Sequence, residues 1–175
     1  MGKAGYPEVG LVLHCWSAVE CQYHRMVTYI VWNIDICLSI SNLDQSNILS
    51  KYVDFMSIGT NDLVQYILAI DRIDDEVTSL YDPTNPAVLQ LIKQVIETCN
   101  KSKTEITVCG EMAGEKIYTK LLLGLGLTSF SMHPQAIPEI KNLIMQTDTK
   151  ALKIKINAIL KCNDYQKRLQ LIESL

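Results

Sequence analysis

The chain has 175 residues, and two of its short stretches carry chemistry. In Glu105-Ile-Thr-Val-Cys-Gly-Glu-Met-Ala-Gly114 a cysteine, Cys109, closes an apolar strand just before a glycine and a carboxylate. A thiol has a pKa near 8.5, so it still holds a proton at neutral pH that it can give to carbon; a carboxylic acid has already lost its own. The competing reading is a buried, inert cysteine. In Val53-Asp-Phe-Met-Ser-Ile-Gly-Thr-Asn-Asp-Leu63 a second strand ends at Gly59, then presents Asn61 and Asp62, an amide and a carboxylate suited to a phosphate and a hard cation. Asp62 is read equally well as the N-cap of a following helix. Arg72, farther on, has a planar fork that holds phosphate bidentately or pairs at the surface with Asp71 or Asp74.

These groups meet only if strands deliver them to one edge of a sheet. Tyr52 to Ile58 and Thr104 to Val108 are the two predicted strands, with a short third from Thr128 to Met132. Between them, a short helix is predicted to carry Leu63, Tyr66, Ile67 and Ile70. A second starts at Asn85-Pro86, cap then proline, with Val88, Leu91, Ile92, Val95, Ile96 and Cys99 on one stripe. A third runs from Gly114 to a stop at Gly124-Leu-Gly126. Amphipathic helices are expected at Pro138 to Gln146, Asp148 to Lys161 and Asp164 to Leu175. Repeated strand-helix units imply an α/β fold with a parallel sheet, whose strand ends are where active sites gather.

Composition narrows the function classes. Net charge is −3 and hydrophobic residues make up 48% of the chain, enough for one core. Lysine and arginine are scattered, which points away from nucleic acid. Six irregularly spaced cysteines and no secretory signal imply reduced thiols and a cytoplasmic protein. The most apolar stretch, Met26 to Ile40, is broken by Asn33 and Asp35 and falls short of a membrane span.

The two stretches, extended by Gln65-Tyr66, Asp71-Arg72, Leu80-Tyr-Asp-Pro83, Asn85-Pro-Ala-Val88, Leu121-Leu-Leu-Gly124 and Phe130-Ser-Met132, resemble the phosphoenolpyruvate-utilising family. Within it they are most similar to the phosphoenolpyruvate-protein phosphotransferases (enzyme I) of the bacterial sugar phosphotransferase system. Residues 47 to 160 are covered, with an echo at 8 to 19. The resemblance implies the carboxyl-terminal half of a (β/α)8 barrel that binds phosphoenolpyruvate, with extra C-terminal helices. The implied reaction is phosphoryl transfer to a protein histidine, with release of pyruvate. The implied roles are Mg²⁺ ligation by Asp62, phosphate contact by Asn61, substrate contact by Arg72, and protonation of enolpyruvate by Cys109. Gly110 would let substrate approach the backbone, and Glu111 would orient neighbours by hydrogen bonding.

The departures from the family set further expectations. Gly10-Leu-Val-Leu13 echoes the preceding barrel strand, but His14, Cys15 and Trp16 follow where the family has glutamate, another residue and proline. The second magnesium carboxylate is thus expected to be missing, and neutral imidazole is a poor ligand for a hard cation. Residues 1–46 are expected to form a divergent segment with a remnant strand at 9–13, and 47–175 the partial barrel. A complete barrel needs about 250 residues. Turnover is therefore expected to need another polypeptide, and the partial barrel to self-associate or join a complementary fragment. The family's accepting histidine lies in a separate domain, so His133 is read as a loop residue. The phosphocarrier protein is the implied downstream partner. The alternatives are a pyruvate phosphate dikinase or phosphoenolpyruvate synthase fragment, or a non-catalytic remnant acting through association.

Overall fold

The computed structural model describes residues 50–51, 53–70 and 77–175. The expected remnant strand at 9–13, His14, the stretch Met26 to Ile40, and Arg72 lie outside the described residues.

Three parallel strands form one sheet in the order β1 (Phe55–Gly59), β2 (Glu105–Cys109), β3 (Ser129–Phe130). Strands running the same way need long returns, and helices supply them. Between β1 and β2 lie α1 (Thr60–Leu68) and α2 (Pro86–Ser102); between β2 and β3 lie α3 (Glu111–Gly114) and α4 (Lys116–Leu125). Three more helices follow: α5 (Ile137–Met145), α6 (Thr149–Leu160) and α7 (Tyr165–Glu173). Among the described residues no helix is long and apolar enough to cross a membrane.

Strand alternation divides the sheet's side chains into two sets. Met56, Ile58, Ile106, Val108 and Phe130 join the apolar core with Leu89, Ile92 and Ile96 of α2 and with Leu121 and Leu122 of α4. Past Phe55 and Glu105, the alternate positions toward the carboxyl ends carry small polar groups: Ser57, Thr107, Ser129 and Cys109. Ser57 pairs with Thr107, and Thr107 with Ser129, in the strand register, so the three hydroxyls form a row. The Thr107 and Ser129 hydroxyls are buried and have no hydrogen-bond partner among the described residues.

Helix ends follow local chemistry. The Asn85 side chain accepts from the Ala87 N–H at 2.9 Å and Pro86 opens the helix, as expected. Asp148 and Asp164 cap α6 and α7 in the same manner. On α2 the predicted stripe is buried except Leu91, which is half-buried. On α1 the expected stripe is corrected: Leu63 and Val64 face the core, whereas Tyr66 is 54% exposed. The stop of α4 is Gly126, at φ 101°, while Gly124 lies inside the helix against Ile156 of α6. A Cβ at position 124 would overlap the Ile156 side chain, so this glycine sets how closely α4 and α6 approach.

The last helix is tied to the loop that leads into α2. Arg168 on α7 is 2% exposed; its Nε donates to the Thr84 hydroxyl at 3.2 Å, its NH1 to the Cys162 carbonyl at 3.0 Å, and its NH2 pairs with Asp82. Asp82 in turn accepts from the Thr84 backbone N–H at 2.8 Å and its hydroxyl at 2.6 Å. A buried guanidinium is stable only when its donors are matched, and this loop matches Nε and NH2 while the turn before α7 matches NH1.

Candidate functional site

β1 and β2 stop side by side, with Gly59 and Cys109 as register partners. Whatever follows each strand is therefore brought to the same edge of the sheet. From β1 the chain enters α1 with Gly59 as its N-cap, so Asp62 is not the cap but an exposed acid in the first turn. A carboxylate there is favoured by the helix dipole and remains available to solvent. From β2 the chain passes through Gly110 into α3.

The two strand ends are bonded to each other. The Thr60 hydroxyl donates to the Cys109 carbonyl at 2.9 Å. The amide of Asn61 accepts from the Glu111 backbone N–H at 3.1 Å and donates to the Glu111 carboxylate at 3.4 Å. Gly110 sits at φ 97°, and a Cβ there would lie 2.5 Å from the Thr60 hydroxyl and 3.0 Å from the Asn61 carbonyl oxygen. Only glycine permits both the backbone angle and this approach.

Cys109 is half-buried. Its S–H donates to the Ile58 carbonyl at 3.5 Å, and the Ser57 hydroxyl donates to its sulfur at 3.4 Å. Cys99, in contrast, is fully buried on α2 against Met56, and desolvation pushes its thiol up to about 11. Burial, reinforced by Glu111, raises the Glu115 carboxyl. His133 is exposed in the loop after β3. An open groove between α2 and α6, lined by Lys93, Glu97, Lys101 and Lys161, contains none of the candidate residues.

The structure thus brings Asn61, Glu111, Gly110 and Cys109 together, with Asp62 on the adjoining turn. The sequence reading missed Ser57 and Thr60, which touch Cys109. The available signal was Ser57, a hydroxyl in an apolar strand two residues before Gly59 and so on its face. Among the described residues no group of three or more His, Cys, Asp or Glu converges as a metal cage. A single accessible carboxylate still fits Mg²⁺, which keeps several waters and is commonly held through one or two carboxylates plus substrate phosphates.

Fold and site together define an α/β domain with its candidate groups at the carboxyl ends of parallel strands, the usual place for ligands in such sheets. The chain belongs to the PEP-utilising enzymes, by their PEP-binding domain, whose family model matches residues 33–149. It is 44% identical over 125 residues to the phosphoenolpyruvate-protein phosphotransferase of Cupriavidus necator, covering 71% of this chain and 21% of that protein. To the protein of the same name from Priestia megaterium it is 40% identical over 129 residues, 74% of this chain and 22% of the relative. For Latilactobacillus sakei the figures are 46% over 107 residues, 61% and 19%. The chain spans about a fifth of the length of these relatives.

Proposed function

We propose that this chain is the phosphoenolpyruvate-binding part of a phosphoenolpyruvate-protein phosphotransferase, acting in phosphoryl transfer from phosphoenolpyruvate to a protein histidine in the sugar phosphotransferase system. The observation that carries the reading is the bonded pair of strand ends, which sets an amide, a carboxylate and a thiol beside one another in the family's own domain.

In this reading Asn61 donates to the phosphate, and its orientation is held by Glu111. Arg72 contacts the substrate, and Asp62 holds Mg²⁺. When bound, the ion neutralises phosphate charge. Once the phosphoryl group leaves, Cys109 gives its proton to the methylene carbon of enolpyruvate, yielding pyruvate. Gly110 keeps the backbone open beside the sulfur. A phosphocarrier protein takes the phosphoryl group onward, and the setting is cytoplasmic.

The three strands are read as belonging to the carboxyl-terminal half of a (β/α)8 barrel, a partial barrel formed by residues 47–175, with 1–46 as a divergent segment bearing one remnant strand. The Thr107 and Ser129 hydroxyls, which have no partner among the described residues, support this: a buried hydroxyl without a partner costs about 1–3 kcal/mol, and further staves or trapped water would supply one. On this reading the chain associates with itself or with a complementary polypeptide.

Isothermal titration of the full chain with phosphoenolpyruvate, with and without Mg²⁺, tests the proposal. Binding that strengthens with Mg²⁺ and weakens in Asp62→Asn supports it. No heat at millimolar ligand would remove it and leave the non-catalytic, associating reading.

A further inference from the structure

The sulfur of Cys109 lies between two groups of β1 that favour opposite protonation states. The Ile58 carbonyl, 3.5 Å away, accepts from the S–H and so favours the thiol. The Ser57 hydroxyl, 3.4 Å away, donates to the sulfur and is worth more once the sulfur is an anion. Ser57 is only 7% exposed, so water competes little for this bond. Its position on the strand is fixed by pairing with Thr107 in the β1–β2 register, two residues before Cys109 on the same face.

We propose that Ser57 is the positioning residue for the acid Cys109: it orients the sulfur at the strand end and stabilises the thiolate left after proton donation. This rests on the functional reading above. In the step, the S–H bond breaks and its electron pair stays on sulfur. The proton forms a C–H bond at the enolate carbon using the C=C pair, and the C–O bond becomes the ketone of pyruvate. Water at the exposed strand end then returns a proton to the sulfur, and nothing is oxidised or reduced.

Among the described residues, the charged groups on the strands and on the elements that follow them are Asp54 before β1, Glu105 at the start of β2, Asp62 in the first turn of α1, Glu111 at the start of α3 and Glu115 just after it. Lys93, Glu97 and Lys101 of α2 line the outer groove, and β3 contributes only Ser129 and Phe130. These charges are the same in wild type and in a Ser57 variant, so the comparison isolates the hydroxyl.

The test is the pH dependence of Cys109 alkylation by iodoacetamide in the full chain, located by peptide mass spectrometry, without substrate. Ser57→Ala is expected to move the midpoint upward, lowering the rate at pH 7 roughly three- to tenfold, the size of the difference between one hydrogen bond to a charged sulfur and the same bond to a neutral one. Ser57→Thr, which keeps the hydroxyl, restores the profile, and Ser57→Gly serves as a second hydroxyl-free variant should alanine impair folding. A profile unchanged in the folded hydroxyl-free variants overturns the proposal. Addition of phosphoenolpyruvate with Mg²⁺ examines the underlying function separately. Protection of Cys109 upholds ligand binding even where Ser57 has no influence; a Ser57-dependent profile without protection upholds the coupling and removes the phosphoenolpyruvate reading.

Discussion

Arg168, near the end of the chain, is ion-paired with Asp82, 86 residues earlier, and both are largely removed from water, with side-chain exposures of 3% and 15%. The pair joins α7 to the loop that leads into α2, downstream of the segment bearing Arg72. Removing one partner strands a charge in low dielectric, which costs about 3–5 kcal/mol. Arg168→Met and Asp82→Ala are each expected to lower the unfolding free energy measured in urea by that order, with a matching fall in the midpoint. The double variant should lose less than the sum, because neither charge is then left alone.

Gly110→Ala is expected to destabilise the chain by about 1–3 kcal/mol, since it combines a left-handed backbone angle with overlap on Thr60. Because Thr60 and Asn61 must shift, phosphoenolpyruvate affinity should fall with it. Thermal unfolding and titration of the same sample check both.

Cys109→Ala should leave phosphoenolpyruvate binding near wild type while lowering proton exchange into the methyl group of pyruvate about 10²–10⁴-fold, the range for a lost acid. Nuclear magnetic resonance of pyruvate in deuterated water, with whatever partner polypeptide supports turnover, measures it. Equal loss of binding and exchange would argue instead for a structural thiol.

Gly124→Ala should destabilise by about 1–3 kcal/mol through overpacking against Ile156, outweighing the gain in helix propensity. Ile156→Val in the same chain is expected to recover part of the loss. Substrate binding should not respond, because this contact lies between α4 and α6.

At alkaline pH the chain should lose stability. Burial raises Cys99 from 9.0 to about 11 and, with nearby charges, Tyr118 from 10.0 to about 12. Below the unfolded values both groups are protonated in either state, so their contribution is fully present. As pH rises through the windows of about 9 to 11 and 10 to 12, the unfolded chain releases protons that the folded chain retains, and stability falls. Cys99→Val should flatten the first window in denaturation midpoints measured against pH.

Local chemistry made much of this protein legible from residue order alone. Asn85-Pro86 opening α2, Asp148 and Asp164 capping their helices, and the apolar period of Val88 to Cys99 each depend on neighbours within a few residues. The strands ending at Gly59 and Cys109 were legible for the same reason, as was family membership, carried by contiguous motifs. Tertiary structure alone decided the rest, because register and helix packing join residues far apart in sequence. Register puts Ser57 and Thr60 on Cys109 and seats Gly110 against Asn61. It makes Gly59 the cap in place of Asp62, and helix packing turns Tyr66 outward and fits Gly124 against Ile156. No local signal marks Arg168 as buried: an arginine on an amphipathic helix reads as solvated until a folded loop 86 residues away supplies the carboxylate that makes its burial tolerable.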